Sequence, residues 1–150
     1  MSVASEDYRL DMMPISTKTG VDPAIEVSPA GAAYMIEIAA GKVFRPMLAR
    51  MTLVASGDAA NRQMQLYITD GTTTLWASAL GGIVTAGLTQ TQTWSRMSML
   101  TTPGTLTGLH MPDITMLPGW KIYVYIANFD TVAAGDNAGP LIVYGQEGPA

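Results

Sequence analysis

The sequence predicts an all-β chain, a single antiparallel β-sandwich or jelly roll of about seven or eight strands behind an extended irregular N-terminal arm. Three observations carry that prediction. Short alternations of apolar and polar residues recur from Ala33 onward, separated by Gly, Pro and Asn turns. No long helical period competes with them. The length of 150 residues fits one domain, and its core needs no covalent staples, in keeping with the absence of cysteine.

Residues 1–31 show neither a helical nor a strand period and contain Pro14, Gly20, Pro23, Pro29 and Gly31. They are expected to form an arm lying over their own domain or over a neighbouring subunit, ahead of a sandwich domain spanning 32–150. Glu6, Asp7 and Asp11 stand where a signal peptide needs a basic start and an apolar run.

Ala33–Ile38 reads as a strand, with a short helix capped by Ser28 as the rival. Phe44–Ser56 is a long apolar strand whose Pro46 predicts a sheet edge or a bulge. Arg62–Asp70 alternates most cleanly, with Met64, Leu66 and Ile68 opposed to Gln63, Gln65, Tyr67 and Thr69. Asp70-Gly71 supplies a turn, and Thr73–Ala79 returns as the hairpin partner. Thr89–Met97 sets Thr against Gln and Trp94 with almost no apolar face. The Gly/Pro-rich stretch Thr101–Pro118 suits a Greek-key crossing loop, with one short strand at Ile114–Leu117. Lys121–Phe129 has apolar residues on one face and Tyr123, Tyr125 and Phe129 on the other, as a strand covered on both sides would. Leu141–Gln146 closes the fold.

Composition narrows the function. Only 13% of residues are charged, about half the share of roughly 25% found in soluble domains. Mean hydropathy is +0.22. Such a chain has little bare surface to solvate and reads as a subunit that packs against copies of itself. The net charge of −4 and eight scattered basic residues exclude the basic stripe of a nucleic-acid binder. The longest uncharged stretch, Gly71–Ser95, is broken by Thr, Gly and Gln and does not suit a membrane helix.

Catalytic signals are sparse. His110 is the single histidine, in the Gly/Pro-rich loop. A Ser-His-Asp triad would have to use it, and zinc sites usually need more than one His when Cys is absent. The acids fall mostly at turns, where Asp bonds nearby backbone N–H groups. Asp130, Asp136 and Asn137 offer oxygens for calcium but equally describe an ordinary turn. No phosphate loop or dinucleotide fingerprint is present, so no catalytic residue, cofactor, metal site or small-molecule ligand is expected. The eleven methionines suit cores and interfaces. Met97, Met99, Met111 and Met116 flank the long loop and are placed to meet another subunit. Trp94, beside Gln90 and Gln92, reads either as a packing contact between sheets or subunits or as a sugar-stacking platform. Trp94, Met97, Met99, Met111, Tyr123 and Tyr125 are the candidate interface residues.

One succession of motifs extends this reading. Ala60-Asn61-Arg62-Gln63-Met64-Gln65-Leu66-Tyr67-Ile68-Thr69-Asp70-Gly71 follows a strand ending Leu53-Val54-Ala55-Ser56. Leu117-Pro118-Gly119-Trp120-Lys121-Ile122 then leads through Ala127-Asn128-Phe129-Asp130 to Ala134-Gly135-Asp136. Over residues 33–147 this succession resembles small tailed-bacteriophage structural proteins with a jelly-roll-like sandwich, including the capsid decoration (cement) proteins. The resemblance implies a non-enzymatic virion protein at the capsid surface, assembled in the host cytoplasm. It also implies a homotrimer that contacts the major capsid protein and stabilises the head. It carries over no binding residue, and it does not cover the arm before Ala33. The alternative is a tail- or fibre-associated sandwich binding host-surface carbohydrate, which needs Trp94 or Tyr67 open to solvent. A hydrolase is the remote third reading, since it needs two convergent carboxylates.

Overall fold

Strict alternation builds the centre of the molecule. In the computed structural model, which describes residues 15–20, 23–26, 31–96, 106–128, 135–138 and 140–150, two neighbouring strands bury every second residue. These are β5 (Gln63–Thr69) and β9 (Lys121–Ala127). Their antiparallel register sets Met64 against Ile126, Leu66 against Val124 and Ile68 against Ile122. All six side chains are buried, and cross-strand apolar pairs of this kind are the unit of sheet stability.

Eleven strands form two sheets among the described residues. The others are β1 (Ile15–Gly20), β2 (Pro23–Glu26), β3 (Gly31–Glu37), β4 (Lys42–Val54), β6 (Thr74–Ala77), β7 (Thr89–Ser95), β8 (Leu106–His110), β10 (Asn137–Ala138) and β11 (Leu141–Pro149). Sheet A runs β1-β11-β4-β7-β8, with β10 also on β4, and sheet B runs β2-β3-β9-β5-β6. Set aside the accessory strands β2, β8 and β10. The remaining eight then stand first-eighth-third-sixth in one sheet and second-seventh-fourth-fifth in the other. That interleaving is the jelly roll, two Greek keys wrapped on each other. Between the sheets Phe44, Met51, Leu53, Trp94, Met116 and Val143 from the sheet A side meet the β5 and β9 residues in one core.

Four features differ from the sequence reading or sharpen it. Where residues 1–31 are described, they are paired strands rather than an irregular arm. Here β1 is hydrogen-bonded to β11, and β2 to β3. Ile15-Ser-Thr-Lys-Thr-Gly carries one large apolar residue, as an outer strand can, and Pro23 stands at a strand's first position, where its missing N–H is tolerated. The sheets are also not wholly antiparallel, because β8 pairs with β7 in parallel. The long loop thus holds its strand at Leu106–His110, and only an isolated bridge joins Met116 to Phe44 where a strand at Ile114–Leu117 was expected. Pro46 sits within the inner strand β4, and the bulge it predicted is there: the register shifts between Tyr144 and Gly145, pairing Leu48 with Tyr144 and Pro46 with Gly145.

One buried ion pair ties the loops at an end of the sandwich. Arg62 and Asp136 are both buried. The Arg62 Nε donates to Asp136 Oδ2 at 3.0 Å, and Nη2 lies 2.8 Å from Oδ1. Nη1 donates to the carbonyls of Asp58 and Ala60, each at 2.9 Å, and Nη2 also to Ser56 Oγ at 3.1 Å. A guanidinium has five N–H donors, and all five are satisfied here. The Asp136 carboxylate further accepts from Ser56 N at 2.8 Å.

Candidate interaction surface

Register decides which expected interface residues reach the surface. Within β7, Gln90, Gln92 and Trp94 stand opposite Leu53, Met51 and Ala49 of β4, so all three face the core. Trp94 is 0% exposed. Its indole Nε1 donates to Ser78 Oγ at 3.1 Å, and Leu66 N donates to the same oxygen at 3.1 Å. Ser78 Oγ in turn donates to Ala79 O at 2.7 Å. Trp94 is therefore a tie between the two sheets. The expectation that it meets another subunit or a sugar is corrected, because the ring has no solvent-facing surface. Met111 is corrected on the same ground: it is fully buried, with its N–H donated to Ser95 O at 2.8 Å. Met97 and Met99 lie outside the described residues.

Tyr123 and Tyr125 lie on the outward face of sheet B, half-buried. Tyr123 stands between Met35 of β3 and Tyr67 of β5, and Tyr125 stands beside Gln65. The Tyr67 and Tyr123 rings stack with centroids 5.0 Å apart and an interplanar angle of 8°. Tyr67 Oη donates to Gln65 Oε1 at 2.5 Å, and Gln65 Nε2 donates to Ser78 O at 2.7 Å. Gln63 Nε2 donates to Gly81 O at 3.2 Å, so the amides along this strand are anchored. Burial, and then the neighbouring oxygens of Tyr123 and Tyr125, raise the Tyr67 phenol above its ordinary pKa and keep it a neutral donor. Charge enters this face at one end, where Lys121 stands opposite Glu37 and Thr69. Met35 and Tyr67 thus join the expected tyrosines, and the clean alternation of β5 was the signal for Tyr67.

A second surface starts at the open edge of sheet B, where β6 is the last strand, and follows the connection from there to β7 of sheet A. Leu75 is 41% exposed, Leu80 57%, Ile83 53% and Leu88 54%. No charged residue occurs between Asp70 and Arg96. Large apolar side chains on an uncharged edge are unusual for a protein that remains alone in water.

Asp113 and Asp136 are committed to structure. Asp113 accepts from Arg45 Nε at 2.8 Å, Arg45 Nη2 at 2.7 Å and Arg96 Nη1 at 2.9 Å. Those hydrogen bonds, Arg45 first, hold its carboxyl at about 2. Asp136, one of the oxygens weighed for calcium, is occupied by Arg62, and Asp130 lies outside the described residues. His110 is exposed at the end of β8, in register with Ser95. No helix among the described residues is long and apolar enough to cross a membrane.

Strand order and surface together define a jelly-roll β-sandwich with a tyrosine patch on the outward face of sheet B and an uncharged apolar segment between β6 and β7. No protein-family model matches the chain, and no curated protein matches it. Among solved structures it is similar to one of infectious bursal disease virus Gx strain, at 13% identity, with a TM-score of 0.42. That likeness covers 89% of this chain and 33% of the other, so the chain spans about a third of its length. It is also similar to the native structure of a family 35 carbohydrate binding module from Clostridium thermocellum, at 11% identity over 94% of this chain and 95% of that one, with a TM-score of 0.29. The fold rests on the strand order, and neither likeness carries a function across.

Proposed function

We propose that this chain is a non-enzymatic structural component of a tailed-bacteriophage particle, a decoration protein that braces the head through contacts with the major capsid protein and with its own copies. The observation that carries this reading is the outward face of sheet B. Met35, Tyr123, Tyr67 and Tyr125 form an uncharged aromatic patch in which Gln65 holds the Tyr67 hydroxyl and Tyr123 stacks on the Tyr67 ring. Protein interfaces are enriched in Tyr and Met and depleted in Lys and Glu, and they favour side chains already fixed before contact. A carbohydrate platform is less well supported. Trp94 is sealed in the core, and Tyr67 spends one ring face on Tyr123.

The test is binding to empty phage heads of the presumed source. Saturable addition that raises their resistance to heat or osmotic shock is the expected result. Tyr123→Ser combined with Tyr125→Ser should weaken that addition at least about tenfold, since central aromatic anchors dominate interface energies. Losing the Tyr67–Tyr123 stack should lower the melting temperature of the free protein. An unchanged strand signal in circular dichroism at the binding temperature shows that the variant is folded. A protein that ignores heads but is retained on bacterial surface polysaccharide overturns the reading in favour of carbohydrate binding.

A further inference from the structure

The segment between β6 and β7 is fastened by its backbone and turns apolar side chains outward. Ser78 N donates to Leu66 O at 2.8 Å and Gly81 N to Met64 O at 2.9 Å. Val84 N donates to Arg62 O at 2.8 Å, and Arg62 N returns to Val84 O at 3.1 Å. The fastened residues 78, 81 and 84 are buried, while Leu80 and Ile83 between them are more than half exposed. Leu88 follows, its carbonyl accepting from Ala55 N at 2.9 Å. These side chains are therefore presented from a fixed backbone, which lowers the ordering entropy lost on contact. A register break beside Thr69 leaves Leu75 out of the β5–β6 ladder. Bulged edges make poor templates for strand addition, so contact here is through side chains.

Charge selects the partner. The chain carries a net charge of −4, and its longest uncharged run is this one, 71–95. Two copies that meet along it bring no like charges together, and a charged partner gains nothing from it. The matching surface must be apolar, uncharged and rigid, and the same strip on a second copy is all three. Rotational symmetry places identical residues face to face around its axis.

We propose that Leu80 and Ile83, flanked by Leu75 and Leu88, form the contact between copies of this chain, each strip lying against the same strip of a second copy at the rotation axis of the oligomer. The proposal rests on the assembly role above and names the surface by which copies hold one another, leaving the tyrosine face for a different protein.

Sedimentation equilibrium of the full chain over a concentration series tests it, using Leu80→Glu, Leu80→Lys and an equal mixture of the two. The native chain should self-associate. Each variant alone should associate at least about tenfold more weakly, because like charges then meet at the axis. The mixture should recover association, which also shows that both variants are folded. Native association that Leu80→Glu leaves unchanged, or a mixture that recovers nothing, overturns the proposal. A native chain that stays monomeric yet still adds to phage heads overturns this contact and leaves the assembly role standing. A chain that does neither overturns both.

Discussion

Replacing Asp136 with Asn removes one charge from a buried pair while keeping the side chain's shape, and it isolates what the pair contributes. Arg62 directs three of its donors at Asp136 and Ser56 and two at the carbonyls of Asp58 and Ala60. The substitution leaves that guanidinium in place, buried and without its counter-charge. Breaking a buried pair from one side costs about 3–5 kcal/mol, because the remaining charge has lost its compensation. The Asn oxygen can still accept one of the bonds, so the lower end, about 3 kcal/mol, is expected. For a domain of this size a loss of that magnitude lowers the melting temperature by about 6–12 °C. Urea unfolding followed by circular dichroism measures it as a shift in midpoint at unchanged slope. Arg62→Met should cost a similar amount, since it strands the carboxylate with Ser56 N. The double variant Arg62→Met with Asp136→Leu should lose less than the sum of the single changes, because neither charge is then orphaned. A loss below about 1 kcal/mol for Asp136→Asn would refute the reasoning, since it would place the pair among solvent-screened ion pairs.

Three further outcomes follow from the same geometry. Gly145→Ala should destabilise by about 2–3 kcal/mol in urea unfolding, because an added Cβ meets the Arg45 carbonyl and lies 2.6 Å from Phe44 Cζ at the bulge, where backbone cannot yield. Trp94→Phe should cost about 2–3 kcal/mol, from lost volume and from the vacated bond to Ser78, with little change in binding to heads. Acid titration should show the Asp113 contribution. Its carboxyl is lowered from 3.8 to about 2, so the stabilisation is complete above the unfolded value and is lost as pH falls between these two values. Asp113 is more than half exposed, so the loss is screened to under about 1 kcal/mol. Asp113→Asn should flatten that part of the profile, and a native profile already flat between the two values would contradict the ion-pair account.

How far the fold could be read in advance depended on whether a strand carried its own pattern. β5 and β9 each bury alternate residues, and both stand in the sequence as regular alternations of large apolar side chains. β1 is an outer strand with one large apolar residue, so backbone pairing to β11 defines it and no periodicity announces it. The inward face of β7 misleads for a different reason. Gln90 and Gln92 belong to the core because Gly81 and Gly82 leave room for their amides, a complementarity made by segments that pass each other only in the fold. Trp94, read beside them as a contact between sheets or subunits or as a sugar platform, lies inward with them as the contact between sheets. The partnership of Arg62 with Asp136 joins positions 74 apart and leaves no local trace. The tyrosine face was legible in its members, since the parity of Tyr123 and Tyr125 follows from β9, but its stacking with Tyr67 depends on the register of two strands that are distant in sequence.

The pairing order of sheet A has a kinetic side. Ile142 of β11 meets Arg50, Pro149 meets Lys42, and Gln146 meets Ile15 across nearly the whole chain. β11 is the hinge of that sheet, bonded to β1 on one side and to β4 on the other. Until it docks, β1 has no strand partner and β4 has only β7 and the short β10. Chains dominated by such distant pairings fold in milliseconds to seconds, as opposed to the microseconds of helical bundles. Throughout that interval the uncharged side chains between Gly71 and Ser95 stand exposed beside the open β11-facing edge of β4. A crowded population of newly made chains is therefore at its most adhesive before β11 arrives, and cooler or slower production should favour the soluble product.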